Sequence, residues 1–173
     1  NKFKSLVKSV ADYAKVGLHP SYYSHKDVDL LKKEKLRLEN IINTPVILSR
    51  QHYLRLSIPE TYQNLIDLDI EEDYTMGYAK RVGFRASTCT PFYFYDLDFE
   101  IQTPLKLFPF AFMDGTLKDY MNLTNEESLA KILELKDEVQ NVKGTFISLF
   151  HNDTFSENEN WKGWSTIYKQ ILS

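Results

Sequence analysis

The sequence predicts an α/β fold, a parallel sheet covered by helices, on three observations. Stretches with helical apolar spacing alternate with short, continuously apolar runs, the pattern of strands buried on both faces. Hydrophobic residues make up 43% and charged residues 26% of the 173-residue chain, a balance that folds rather than stays disordered. Several apolar runs also end in histidine or arginine, as strands do where they open onto a working face of such a sheet. A dense aromatic stretch in the middle favours an irregular (β/α) barrel over a doubly wound layer.

Phe3, Leu6, Val7, Val10, Tyr13 and Ala14 follow helical spacing; Gly17 then interrupts, and Val16 to Leu18 reads as a short buried strand ending at His19. Val28, Leu31, Leu38 and Ile42 form a second stripe, and beyond Pro45 the run Val46, Ile47, Leu48 leads to Arg50 and His52. Pro59 suits the first turn of a helix carrying Tyr62, Leu65 and Ile66, after which residues 70–74 read as the next strand. From Met76 to Met113, Phe, Tyr, Pro and Gly are dense and no helical period survives, so irregular strands and loops are expected. Thr124 and Glu127 match a capping box opening a helix with Ile132, Leu135 and Val139 inward. Gly144 then starts the run 145–150, which ends at His151, and Trp161, Trp164, Ile167, Tyr168 and Ile171 mark a closing helix.

A net charge of -3, with lysines scattered through helical patterns, leaves no basic stripe for a phosphate backbone, so nucleic acid is excluded as a partner. Cys89 is the single cysteine, so neither an internal disulfide nor a cysteine-built zinc site can form within the chain. No apolar run approaches the roughly 20 residues of a membrane span, and the amphipathic start lacks the features of a signal peptide. The length suits one domain over residues 1–173. A soluble chain follows, with the cytoplasm favoured and the oligomeric state open.

Among the four histidines, His19, His52 and His151 fall at strand ends, as does Arg50. A neutral imidazole there can ligate zinc or serve as a general acid or base, although a partly buried, hydrogen-bonded structural histidine is the plain alternative for each. Arg50 calls for a carboxylate or an anion, and Asp73 or Asp114 could supply the former; a purely structural ion pair would satisfy it equally. Phe92, Tyr93, Phe94 and Tyr95 could line a sugar cleft, but core packing is the commoner role of such a run. Asn122-Leu123-Thr124 and Asn152-Asp153-Thr154 match the glycosylation pattern, and both are discounted as chance.

The order of these motifs resembles the polysaccharide deacetylases, in a divergent bacterial branch, across nearly the whole chain. Val16-Gly17-Leu18-His19-Pro20-Ser21 resembles the family's second motif, whose first histidine binds metal and whose second follows four positions later, where this chain has Tyr23. Ser49-Arg50-Gln51-His52-Tyr53 resembles the third motif, whose arginine supports the catalytic carboxylate, and Asp73-Tyr74-Thr75-Met76 its continuation. Residues 83–91 and 109–114 correspond to the groove-lining segment with the fourth motif, whose tryptophan has no secure match. Leu149-Phe150-His151-Asn152 resembles the fifth motif, whose histidine protonates the leaving group. The first motif, an aspartate pair, would precede Asn1, which makes this the N-terminally incomplete, C-terminal part of a barrel and inactive by itself.

The resemblance implies a metal-dependent hydrolase removing an acetyl or similar acyl group from an amino sugar or polysaccharide. Its catalytic residues would be His151 and Arg50. A divalent metal, zinc by preference, would sit on His19, with His52 or His25 standing in for the missing histidine. Asp73, Arg85, Asp114 and Asn152 would contact the carbohydrate. Two rivals remain: a degenerate barrel that binds a glycan or supports a larger protein, and a different hydrolase with a metal on His19, His52 and His151 together.

Overall fold

The computed structural model describes residues 2–172. The chain, read from sequence as one domain, divides into two compact units, one running up to Thr75 and including Phe92–Phe108, the other made of Met76–Pro91 and the residues from Pro109 onward.

The first unit contains helices α1 (Lys2–Ala11), α2 (Val28–Ile42) and α3 (Glu60–Asp67) and strands β1 (Leu48–Ser49), β2 (Glu72–Asp73), β3 (Phe92–Asp96) and β4 (Ile101–Leu107). They build a four-stranded sheet in the order β1-β2-β4-β3, parallel from β1 to β4 and antiparallel at the β3 edge. The stretch read as a strand at residues 16–18 narrows to a single parallel bridge between Leu18 and Ser49. Leu18, Val46, Tyr62, Leu65, Ile70, Phe94, Leu105 and Leu107 are buried around this sheet.

Two features of this unit have local causes. Helix α1 forms, but its apolar stripe is not covered: Phe3, Leu6 and Val10 are exposed and no residue of the helix is buried. The aromatic stretch read as irregular strands and loops contains the β3–β4 hairpin, whose pairing shifts register between Tyr93 and Tyr95. Pro104 lies opposite that shift; it has no N–H for the ladder, and the Thr103 hydroxyl donates instead to the Phe94 carbonyl at 2.8 Å.

The second unit holds β5 (Phe112–Met113), a π-helical turn (Thr116–Tyr120), α4 (Asn125–Asn141), β6 (Ser148–Leu149) and α5 (Trp164–Leu172), with β5 and β6 paired in parallel. The capping box is present in full: Thr124 Oγ1 accepts from the Glu127 N–H at 3.2 Å, and Glu127 accepts from the Thr124 N–H at 2.8 Å. Ile132 and Leu135 of α4 meet Trp164, Ile167 and Ile171 of α5 in a core with Phe112 and Leu117. Gly77 lies against the Phe110 ring, where a Cβ would overlap ring carbons.

The α/β class therefore holds, while the strands form two separate sheets, of four and two strands, and no closed barrel among the described residues. No helix among them is long and apolar enough to cross a membrane.

Candidate functional site

In the first unit, the Leu18–Ser49 bridge decides which side chains meet. The Leu18 N–H donates to the Leu48 carbonyl at 2.8 Å and the Arg50 N–H to the Leu18 carbonyl at 2.9 Å, so His19 and Arg50 emerge side by side. His19 Nδ1 lies 2.7 Å from the Arg50 carbonyl oxygen. A carbonyl only accepts, so Nδ1 carries the proton and a neutral His19 has its lone pair on Nε2. His52 follows two residues after Arg50 in a short 3₁₀ turn, and its Nδ1 lies 3.1 Å from His19 Nε2.

A buried polar network links the ends of β1 and β2. Asp73 has no exposed surface; it accepts from the Ser49 hydroxyl at 2.7 Å, the Thr75 hydroxyl at 2.8 Å and the Thr75 N–H at 3.0 Å. Thr75 Oγ1 in turn accepts from the Gln51 N–H at 2.9 Å, which ties the segment before His52 to the one that follows β2. Burial pushes the Asp73 carboxyl above its ordinary range, against the opposing pull of these donors and of the Arg50 charge. Arg50 Nε donates to the Tyr74 carbonyl at 3.0 Å, and burial lowers the guanidinium from its usual value despite the Asp73 charge.

The second unit contains a carboxylate–imidazole pair. Asp114, directly after β5, is fully buried, while the His151 side chain, two residues beyond β6, is 54% exposed. The parallel pairing of Met113 with Leu149 sets these two strand ends together. Asp114 Oδ1 lies 2.6 Å from His151 Nδ1 and accepts from the Gly115 N–H at 2.7 Å; Oδ2 accepts from the His151 N–H at 2.6 Å and from the Thr154 hydroxyl. Burial alone would raise the Asp114 carboxyl, but the His151 ring, the Thr154 hydroxyl and the His151 amide outweigh it and hold the group below its ordinary range. An ionised carboxylate only accepts, so His151 Nδ1 is the donor and proton exchange falls to Nε2. A solvent-reaching imidazole backed by a buried carboxylate can give or take a proton at a reacting centre.

The residues assigned from sequence stand as follows. Asp73 and Asp114, read as substrate contacts, are both buried with their oxygens engaged by donors of this chain. Arg85 and Asn152, read likewise, are exposed. His25 lies 3.3 Å from Ser57 Oγ through Nε2, and the residue that joins His19 is His52. Tyr23, in place of the family's second histidine, is 79% exposed and packs edge-on against Tyr22. Of the aromatic run, Phe94 turns inward against Tyr62, while Tyr93 and Tyr95 face outward. Ser49, Thr75 and Thr154 were not singled out in their present roles. Thr154 appeared only within a discounted glycosylation pattern, and its place three residues beyond His151 was the available signal.

The resemblance implies a divalent metal, and the residues present fit it in part. His19 and His52 bring two imidazole nitrogens within 3.1 Å of each other. Among the described residues, however, no three His, Cys, Asp or Glu side chains gather as a metal-binding group. No protein-family model matches the chain, and no curated protein matches it closely enough to count as a relative.

Proposed function

We propose that this chain is part of a deacetylase-type hydrolase, of irregular-barrel architecture, that cleaves an acetyl or similar acyl amide from an amino sugar or polysaccharide. The observation that carries the reading is the Asp114–His151 pair, a buried carboxylate fixing the tautomer of an exposed imidazole at a strand end. In amide hydrolysis the leaving amine must be protonated as the C–N bond breaks, and His151 Nε2 supplies that proton. Asp114 stabilises the imidazolium that precedes the transfer, and Thr154 and the backbone N–H groups hold Asp114 ionised and in place. Arg50, anchored on Tyr74, carries the role the resemblance gives it, positioning a carboxylate. A bound metal would polarise the amide carbonyl and activate water.

A second reading, a glycan-binding domain without catalysis, is favoured by Tyr23, an exposed ring where the family pattern places a ligand. Acetate release from N-acetylated chitooligosaccharides and peptidoglycan fragments, measured on the full-length protein and its His151→Gln variant, separates the two. Release by the parent and its loss in the variant supports the hydrolase. Binding of the same glycans without release supports the second reading, and neither binding nor release overturns both.

A further inference from the structure

We propose that helix α1, with the groove it forms against α2, is a docking surface for an anionic phospholipid bilayer, on which the helix lies in the plane of the headgroups. Phe3, Leu6 and Val10 sit three and four residues apart, so they share one face, and that face is open: Leu6 is 60% and Val10 47% exposed. Within the helix only Val7 and Ala11 are half-buried, so it stands proud of its unit as a rib. At about 3.6 residues per turn, Lys2 and Lys4 fall on either side of Phe3, and Lys8 follows Lys4 one turn on. No acidic residue lies within the helix; Asp12 comes just after its end. Ten residues of helix span about 15 Å, half of a bilayer's hydrocarbon core, so α1 can lie on a membrane but not cross it.

Charge is segregated around this rib. A groove of about 540 Å³ between α1 and α2 is lined by Lys4, Lys32, Lys33 and Arg37 beside the exposed Leu36, with Asp29 as its carboxylate among the described residues. The other acids of α2 are engaged by groups of this chain. Glu34 accepts from the Ser21 N–H at 2.8 Å, and Glu39 from the Lys35 ammonium at 2.6 Å and the Val46 N–H at 2.9 Å. With Lys2 and Lys8, the rib and groove hold six cations against one carboxylate, in a chain whose net charge is -3.

An apolar rib bordered by cations is complementary to a membrane surface in both its parts. Apolar side chains enter the boundary between headgroups and acyl chains, while lysine stems run alongside them and carry the ammonium groups to the phosphates. Each Lys or Arg near an anionic leaflet strengthens binding about fivefold, and the buried apolar area adds to it. A nucleic acid would use the cations and leave Leu6 and Val10 in water. A second copy of the chain would set the same positive charge against itself. The docking surface is independent of the hydrolase reading and is measured without turnover.

The experiment is co-sedimentation of the full-length protein with vesicles of phosphatidylcholine, alone or with about 30% phosphatidylglycerol, at about 0.1 M and about 0.5 M NaCl. Beside the parent run the double variants Leu6→Gln/Val10→Gln and Lys4→Gln/Lys8→Gln, and a Leu97→Gln control at a residue 79% exposed between β3 and β4. The expected result is binding to the anionic vesicles at low salt, at least about tenfold weaker on phosphatidylcholine alone or at high salt. The lysine pair should lose about 25-fold and the apolar pair at least about tenfold, with the control unchanged and all three melting like the parent. The parent's dependence on lipid and salt is read without any variant. Equal binding to both vesicle types, binding that survives Leu6→Gln/Val10→Gln, or no binding to either vesicle would overturn the proposal. A parent that ignores vesicles but sediments as a dimer, dissociated by the apolar pair, would give the face to a second copy instead. A parent that ignores vesicles but binds duplex DNA, with the apolar pair binding as well, would give the cations to nucleic acid.

Discussion

Replacing Asp114 by Asn tests whether the buried carboxylate is the organising charge of the second unit. Four donors converge on it: the Gly115 N–H and His151 Nδ1 on one oxygen, the His151 N–H and the Thr154 hydroxyl on the other. An amide keeps one accepting oxygen, so two donors meet an NH2 group whichever way it turns, and the survivors lose their charge assistance. Hydrogen bonds to a charged partner contribute about 1.5–3 kcal/mol each, and the Thr154 hydroxyl can rotate to recover part of the loss, which leaves a cost of about 2–4 kcal/mol. For a chain of this size, that corresponds to a melting temperature lower by roughly 5–15 °C. The sign with pH follows from the depressed carboxyl: its stabilisation is present above the ordinary carboxylate range and is lost as pH falls through the folded-state value. Circular-dichroism melts of both proteins from neutral pH into acid should therefore show a gap that closes on acidification. A variant melting within a degree or two of the parent at pH 7, or a gap that does not narrow, would refute the reasoning.

Asp73→Asn should behave oppositely, costing under about 1 kcal/mol in denaturant unfolding, because burial already favours the neutral acid and the Ser49 and Thr75 hydroxyls can reverse to accept from an amide. The raised Asp73 carboxyl makes its contribution largest in acid and smaller as pH rises through the folded-state value, so the parent-to-variant gap should shift in the opposite sense to that of Asp114→Asn. Gly77→Ala drives a methyl into the buried Phe110 ring and should cost about 1–3 kcal/mol, read as a lower denaturant midpoint with an unchanged slope; an unaffected midpoint would mean the ring moves aside. Thr124→Ala removes the N-cap acceptor of α4 and should cost about 1 kcal/mol, most of it restored by Thr124→Ser.

The helices were legible because each carries its own evidence within a few turns. The Thr124–Glu127 box, the Ile132-Leu135-Val139 stripe and the Trp164-Ile167-Ile171 stripe all appear where the spacing put them. The hairpin of β3 and β4 was not, because its register shift and Pro104 break the alternation that marks a strand. In α1 the apolar period makes a helix, but whether a face is covered depends on what packs there, which no local window contains.

By itself, the sequence determined that the chain is α/β, roughly where its helices run, and that His19, Arg50, His52 and His151 follow short apolar runs. Tertiary structure alone decided their partners. Asp114 lies 37 residues before His151 and His19 lies 33 before His52, separations that only strand pairing closes. Burial of Asp73 and Asp114, and the donors that meet their oxygens, were likewise decided there. The physical reason is that helix propensity and capping act over a few residues, whereas burial and the direction of a ring nitrogen follow from which strands lie side by side.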